Sequence, residues 1–184
     1  MSESNYDKHK RPYYSDPSPY PEIRVVEPNL HYARLLMDDY AGVVSEFTAI
    51  SQYLYHYFFS KNIDEKLGKL FENVSINEML HMEILADIII MLGGVPQIRG
   101  SFSTNNQFWN GKFIYYGDDL CEQLKADIEA EYTAIEEYRK HIQLIDDHHI
   151  QAILKRIILD EKVHIRLFNK ALFKFCGCTY REGE

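Results

Sequence analysis

Two short motifs supply the side chains of this sequence that are best suited to bind metal ions. Each is a glutamate followed three residues later by a histidine: Glu78 with His81, and Glu161 with His164. Residues three apart on an α-helix lie on one face, so a carboxylate oxygen and an imidazole nitrogen can bind the same ion. One such motif is common in helices, and its repetition is what indicates a site.

An internal repeat adds a further glutamate to each motif. Residues 46–56 read EFTAISQYLYH and residues 131–141 read EYTAIEEYRKH, so Glu, Thr, Ala, Ile, Tyr and His coincide in register. The first residue of each copy, Glu46 or Glu131, precedes its motif by 32 or 30 residues. The chain therefore contains two copies of one helical hairpin. The repeat selects Glu131 over its neighbour Glu129, which is the alternative.

Packed with pseudo-twofold symmetry, the two hairpins are expected to bring these side chains together inside the protein. The predicted metal ligands are Glu46, Glu78, His81, Glu131, Glu161 and His164. Two glutamates and two Glu-x-x-His pairs on four helices form the ligand set of a dinuclear site. Four carboxylates balance the charge of two divalent ions, whereas without metal their burial and repulsion are unfavourable. Iron and manganese both suit such ligands.

Two tyrosines and two histidines follow the same helical faces. Tyr53 and Tyr138 each lie seven residues after the glutamate of their repeat. They can donate a hydrogen bond to a ligand carboxylate or act as one-electron donors, and the alternative is a buried tyrosine with a satisfied hydroxyl. His56 and His141 lie ten residues beyond the same glutamates, about 15 Å along a helix, which is too far for ligation.

Helical periodicity predicts an all-α fold that positions these residues. Apolar residues recur at three- and four-residue spacing, and no segment alternates as a β-strand does. The predicted helices are 29–60, 64–92, 118–145 and 148–175. Two short turns and one long crossover between the second and third helices describe a four-helix bundle over residues 29–175.

The segments outside this bundle have a different composition. Residues 1–28 contain five of the six prolines and are predicted to form an extended arm, either disordered or wrapped around a partner subunit. Residues 176–184 form a short tail. The three cysteines are odd in number and do not indicate a disulfide framework.

Charge and hydropathy exclude several classes of partner. The sequence has 20 basic and 28 acidic residues, a net charge of −8, which argues against nucleic acid as a partner. The most apolar stretch, residues 84–95, is too short to span a bilayer, and the N-terminus lacks an apolar signal sequence. We therefore expect a cytoplasmic protein that contacts neither membrane nor nucleic acid.

These motifs resemble those of bacterioferritin and its non-haem diiron relatives, the rubrerythrins. The resemblance lies in residues 45–56, 76–81 and 159–165 and covers the four helices, but not the arm. It implies a ferritin-like four-helix bundle with a long crossover and two iron ions.

The resemblance also implies a role for each ligand. Glu78 and Glu161 would bridge the two ions, and the other two glutamates would each bind one ion. Asn77 and Asp160, which directly precede the bridging glutamates, would orient the histidine of the opposite hairpin.

The sequence differs from these families at several positions, and each difference changes which of their functions is expected here. Only residues 176–184 follow the last helix, where bacterioferritin has a fifth helix, so a storage cage is not expected. Met79 falls where bacterioferritin has its haem ligand, but helical methionine is mostly a packing residue, and no haem is expected. Ala134 replaces a glutamate of rubrerythrins. The segment 108–120 is similar to manganese catalase, a family whose extended arm surrounds neighbouring subunits.

The sequence thus favours a dinuclear-metal redox enzyme that reacts with O₂ or H₂O₂ as ferroxidase or peroxidase. The first alternative is a manganese catalase that disproportionates H₂O₂ with two manganese ions. The second alternative is an iron-storage protein. The resemblance implies a homo-oligomer assembled through the N-terminal arm.

Overall fold

The computed structural model describes residues 5–9 and 12–181, and over these ranges the fold is all-α, as predicted. The five α-helices are α1 (Leu30–Ala41), α2 (Glu46–Ser60), α3 (Glu65–Met91), α4 (Leu120–Leu144) and α5 (His148–Cys176). Helices α2 to α5 form the four-helix bundle, and α1 is an additional helix. Short 3-10 helices occur at Asn5–His9 and Gly111–Phe113.

The prediction of a single helix over residues 29–60 is wrong, because residues 42–45 separate α1 from α2. A Cβ atom on Gly42 would lie 2.5 Å from the carbonyl oxygen of Asp38, so glycine permits a close approach here. The Ser45 hydroxyl accepts the backbone N–H of Thr48 at 3.2 Å and caps α2. Helix α2 therefore begins at Glu46, one of the predicted metal ligands.

Short connections make antiparallel hairpins of α2 with α3 and of α4 with α5. Asp64 caps α3 by accepting the backbone N–H of Leu67 at 3.0 Å. Asp147 caps α5 by accepting the N–H of His149 at 2.9 Å. Both hairpins therefore start their second helix with the same capping chemistry, in keeping with the sequence repeat.

The long crossover between α3 and α4 lies against α2. The Trp109 indole N–H donates to the Thr48 hydroxyl at 2.9 Å, and the backbone N–H of Tyr115 donates to the Gln52 side-chain oxygen at 2.8 Å. These bonds hold the crossover beside the first turns of α2, next to the predicted site.

Aromatic side chains fill the bundle on one side of that site. The rings of Phe71 and Phe168 lie 5.6 Å apart, and the Tyr53 ring lies 5.2 Å from Phe168. All three side chains are completely buried. Burial of this much apolar area stabilises the bundle and fixes the helices that carry the ligands.

A disulfide joins Cys121 at the start of α4 to Cys176 at the end of α5. The odd number of cysteines did not lead us to expect a disulfide, and the structure corrects that expectation. The two cysteines are 55 residues apart, and only antiparallel packing of two helices of similar length brings these ends together. Cys178 is exposed and has a free thiol.

Residues 12–28 of the predicted arm have no long helix and contact the bundle of their own chain. The backbone N–H of Val26 donates to the Asp147 carboxylate at 2.7 Å, and Tyr20 is buried. Other parts of the predicted arm and tail, 1–4, 10–11 and 182–184, lie outside the described residues. Among the helices that are described, none has the length and apolarity needed to cross a membrane.

Candidate metal centre

The six predicted ligands lie together at the centre of the bundle, and each is at most 4% exposed. Their donor atoms form two groups of four, in which all atoms lie within 4.8 Å of one another. The first group is Glu46, Glu78, His81 and Glu161, and the second is Glu78, Glu131, Glu161 and His164. Two glutamates belong to both groups, so the geometry is that of two adjacent ion sites with a shared pair of carboxylates.

Each histidine points its Nδ1 atom at three carboxylates. His81 Nδ1 lies 2.8 Å from a Glu78 oxygen, 3.2 Å from a Glu161 oxygen and 3.5 Å from a Glu46 oxygen. One N–H group cannot donate well to three acceptors in different directions. A cation at the point where the three oxygens and the nitrogen converge would satisfy all of them.

The second histidine repeats this arrangement with the opposite hairpin. His164 Nδ1 lies 2.8 Å from Glu78, 2.9 Å from Glu161 and 3.4 Å from Glu131. The Glu78 Oε1 atom in this cluster is buried and lies 2.8 Å from His164 Nδ1, but it makes no well-directed hydrogen bond. A buried carboxylate oxygen without a well-directed hydrogen bond is unfavourable, and a bound cation would compensate it. The donor set therefore fits two divalent ions.

Electrostatics within the cluster differ between its members. Burial, followed by the charge of Glu78, raises the pKa of Glu46 and of Glu131 well above the ordinary range of a glutamate. Burial acts on Glu78 in the same sense, but His164 and His81 outweigh it and hold the pKa of Glu78 well below its usual range. Some acids of the metal-free cluster therefore carry protons, because four buried carboxylates repel one another.

Burial has the opposite effect on the histidines, whose pKa values it lowers. Burial opposes the charged imidazolium, but the neighbouring acidic groups outweigh it and raise the pKa of His81 and His164 well above the ordinary value. In the metal-free cluster, protons partly neutralise the carboxylates. A metal ion that binds there must displace these protons.

Tyr53 and Tyr138 connect the hairpins through the two non-shared glutamates. The Tyr53 hydroxyl donates to Glu131 at 2.7 Å, and the Tyr138 hydroxyl donates to Glu46. Burial, and then the adjacent carboxylate, raise the pKa of both phenols, which keeps them protonated as donors. Each tyrosine therefore orients a glutamate of the opposite hairpin.

Asp160 and Asn77 lie against the outer nitrogens of the histidines. Asp160 Oδ2 is 3.0 Å from His81 Nε2. The Asn77 side-chain nitrogen is 3.1 Å from His81 Nε2 and 3.4 Å from His164 Nε2, while the Asn77 oxygen is buried without a partner. When histidine Nδ1 binds a metal ion, the imidazole proton lies on Nε2. A 180° rotation of the Asn77 amide would turn its oxygen toward Nε2 and so provide an acceptor for that N–H.

Each of the two remaining repeat histidines contacts an aspartate outside the cluster. His56 Nδ1 lies 2.8 Å from Asp127 of α4, and His141 Nδ1 lies 2.7 Å from Asp39 of α1. Neither histidine belongs to the two ligand groups. Met79 is 47% exposed on the outside of α3, away from these clusters.

Sequence reasoning missed a set of residues around the outer nitrogens of the histidines. Tyr14, Asp16 and Tyr20 of the arm contact this region, as does Arg156 of α5. The only available signal was the spacing of Arg156 and Asp160, four residues apart on one helical face. Nothing in the sequence indicates that an arm segment lies there.

A cavity of about 420 Å³ opens onto the carboxylates from between α2 and α4. Its walls include Glu46, Tyr53, Phe113, Ala134 and Tyr138. The small side chain of Ala134 leaves space that a glutamate would occupy. A small molecule can therefore reach the carboxylate side of the cluster.

Comparison with known proteins identifies the family. A family model described as a ferritin-like domain matches residues 42–175, most of the chain. The chain belongs to the ferritin-like family. The fold class and the resemblance derived from the motifs are thereby confirmed.

Two groups of relatives are found within this family. A probable manganese catalase of Clostridium acetobutylicum is 25% identical over 171 residues, covering 83% of this chain and 75% of that protein. The bacterioferritin of Streptomyces coelicolor is 31% identical over 130 residues, covering 67% of this chain and 70% of that protein.

Solved structures give the same two groups. A manganese catalase from Anabaena superposes with a TM-score of 0.78 and 21% identity, covering 91% of this chain and 86% of the other. The Mycobacterium tuberculosis bacterioferritin superposes with a TM-score of 0.62 and 28% identity, covering 80% and 87%. The former likeness concerns the fold alone, and it extends beyond the bundle.

Proposed function

We propose that this ferritin-like protein binds two metal ions and catalyses a redox reaction of O₂ or H₂O₂. The observation that carries the proposal is the pair of four-residue groups that share Glu78 and Glu161. Each group offers three carboxylates and one imidazole Nδ1 atom, a set that suits iron and manganese. The named relatives, manganese catalases and bacterioferritins, support the same chemistry.

The ligand roles follow from membership of the groups. Glu78 and Glu161 would bridge the ions, and Glu46 with His81, or Glu131 with His164, would complete each site. When bound, two such ions would supply the two electrons that reduce O₂ to peroxide or cleave the O–O bond of H₂O₂.

The surrounding residues fix this arrangement and admit the substrate. Tyr53 and Tyr138 orient the two terminal glutamates, and Asp160 and Asn77 orient the histidines. The cavity between α2 and α4 gives the small substrate access to the carboxylate side.

The test combines metal analysis with rapid kinetics. Protein purified from its source is analysed for iron and manganese, and Fe(II)-loaded protein is mixed with O₂ or H₂O₂ in a stopped-flow spectrophotometer. We expect two ions per chain and rapid formation of an oxidised diiron absorption band. Absence of bound metal, or of any reaction with both oxidants, would contradict the proposal.

Manganese catalase is the second candidate. The relative of that name matches 83% of this chain, more than the 67% matched by the bacterioferritin. Vigorous O₂ evolution from H₂O₂ by manganese-loaded protein, and not by iron-loaded protein, would decide for it.

Iron storage is the third candidate, supported by the relatives named bacterioferritin. It requires a large hollow assembly that accumulates mineral. We propose instead a small homo-oligomer assembled through the N-terminal arm, as the resemblance to manganese catalase implies. Light scattering distinguishes such an oligomer from a large hollow assembly.

We also propose a cytoplasmic location. Disulfides are rare there outside redox-responsive proteins. The oxidation state of Cys121 and Cys176 in cells, measured by alkylation and mass spectrometry, therefore tests it. Stable oxidation of all copies would argue for an oxidising compartment instead.

A further inference from the structure

The N-terminal arm of the chain reaches the back of the candidate metal centre. His164 uses Nδ1 toward the carboxylates, and its Nε2 atom lies 2.9 Å from the backbone carbonyl oxygen of Tyr14. Tyr14 belongs to the arm and not to the repeated hairpins. When Nδ1 binds a metal ion, Nε2 carries the proton and needs an acceptor. The arm supplies that acceptor.

The same segment holds the acceptor of the second histidine. Asp160, whose Oδ2 atom is 3.0 Å from His81 Nε2, also accepts the backbone N–H of Asp16 at 2.6 Å and the hydroxyl of Tyr20. Asp160 is completely buried, so these donors set its orientation. Both histidines are thus connected to residues 14–20, one directly and one through Asp160.

Arg156 holds this segment on the bundle. Its Nε donates to the carbonyl of Ser18 and its Nη2 to the carbonyl of Asp16, both at 2.9 Å, while its Nη1 donates to Asp160 at 2.7 Å. The guanidinium also lies 4.2 Å from the centre of the Tyr20 ring. The buried guanidinium donates both to the arm and to Asp160. The position of the arm and the position of the Asp160 carboxylate therefore depend on each other.

We propose that residues 14–20, here called the latch, position both histidines for metal binding, so that latch docking and metal binding strengthen each other. This inference rests on the proposed metal site. Thermodynamic linkage requires the coupling to be reciprocal: if the docked latch increases metal affinity, bound metal must stabilise the docked latch by the same factor. The latch residues are positioning residues and do not contact the substrate side of the cluster.

Point variants of the full-length protein test the inference. Arg156→Met removes the donors that anchor the latch, and Tyr20→Phe removes only the hydroxyl that reaches Asp160. Tyr6→Phe is the control, because the Tyr6 hydroxyl donates to Asp87 on α3, which is not one of the proposed metal ligands. Co(II) is the probe, since its visible absorption reports ligand geometry as well as binding.

We expect Arg156→Met to weaken Co(II) binding by about 10- to 100-fold, the effect typical of lost outer partners of metal ligands. Tyr20→Phe should weaken binding less, with a shift of the Co(II) absorption bands, and Tyr6→Phe should stay within about twofold of wild type. Circular dichroism checks that the variants fold. If Arg156→Met fails to fold, Tyr20→Phe decides.

Reciprocity gives a second measurement that a purely structural role would not change. Limited proteolysis within the latch should be slower in Co(II)-loaded wild type than in chelated wild type, and this difference should largely disappear in Arg156→Met. Co(II) affinity within about twofold of wild type in every folded variant, with unchanged spectra, would overturn the inference while leaving the proposed function intact. Wild-type protein that binds no Co(II) would overturn both.

Discussion

At the scale of single residues, the centre is a buried cluster of four carboxylates and two imidazoles, whose charges oppose one another. The shared and the non-shared glutamates have different environments. Each shared glutamate lies within 3.2 Å of both histidine Nδ1 atoms, whereas each non-shared glutamate lies 3.4 or 3.5 Å from one of them. The non-shared glutamates instead receive tyrosine hydroxyls. This difference predicts different effects of substitution.

We expect Glu131→Gln to lower the number of bound ions from two to one. Glu131 belongs to only one of the two ligand groups, and the amide keeps the side-chain size while removing the anionic ligand. Isothermal titration with Mn(II), checked by elemental analysis, measures the stoichiometry. Glu129→Gln is the control, because Glu129 is exposed and should leave both sites unchanged. Two ions bound by Glu131→Gln with unchanged affinity would contradict the assignment.

Metal affinity should increase with pH and metal binding should release protons. The pKa values of His81, His164, Glu46 and Glu131 are raised in the metal-free protein, so these groups hold protons that the ion must displace. Lowering the pH stabilises the protonated form and weakens binding. Calorimetry in two buffers with different ionisation enthalpies counts the released protons. Binding without proton release would show that the cluster is already deprotonated.

At the scale of helices, the interruption at residues 42–45 sets where α2 begins. Ser45→Ala should destabilise the metal-free protein by about 1 kcal/mol, because it removes the cap on the Thr48 N–H. Urea unfolding in the presence of a chelator measures this loss. Ser51→Ala is a matched control in the same helix, since the Ser51 hydroxyl only donates back to the carbonyl of Phe47. Equal stability of the two variants would contradict the role of Ser45 as a stabilising cap.

The disulfide between α4 and α5 gives a second prediction at this scale. Under oxidising conditions Cys121→Ser should lower the free energy of unfolding by about 2–4 kcal/mol, because the unfolded chain loses a long closed loop. Cys178→Ser is the control and should have little effect, since Cys178 is exposed. Addition of a thiol reductant should abolish the difference between Cys121→Ser and wild type. A difference that persists after reduction would indicate a packing effect of the serine.

At the scale of the whole molecule, the two sides of the centre have different coverings. The cavity between α2 and α4 leads to the carboxylates, whereas the arm covers the histidine side through contacts with α5. The four-helix bundle thus holds a polar cluster inside an apolar core, and bound metal is what makes that cluster favourable.

Metal removal should therefore lower the stability of the entire fold. An ion that binds only the folded state stabilises it by about 2.7 kcal/mol per site at a metal concentration of 100 times Kd. Calorimetric melting of Mn(II)-loaded and chelated protein measures the shift, with Mg(II) as a control ion that prefers oxygen ligands. A melting temperature that is unaffected by chelation would contradict a buried structural role for the ions.

Much of the centre was predictable because helical geometry converts sequence spacing into a spatial face. The repeat of 46–56 and 131–141 indicated which glutamates face inward, and the structure places Glu131 in the cluster and Glu129 in solvent. The bounds of α3, α4 and α5 were also close to those predicted, because aspartate caps and glycine mark helix ends in the sequence itself.

The break after α1, the disulfide and the arm contacts were decided only by the tertiary structure. Periodicity continues through residues 42–45, so it does not reveal that Gly42 approaches Asp38 and Ser103 closely. Cys121 and Cys176 meet because two helices pack side by side, a relation between distant segments that has no local pattern. The arm reaches His164 through a backbone carbonyl, which every residue carries, and no side-chain type in the sequence can mark such a contact.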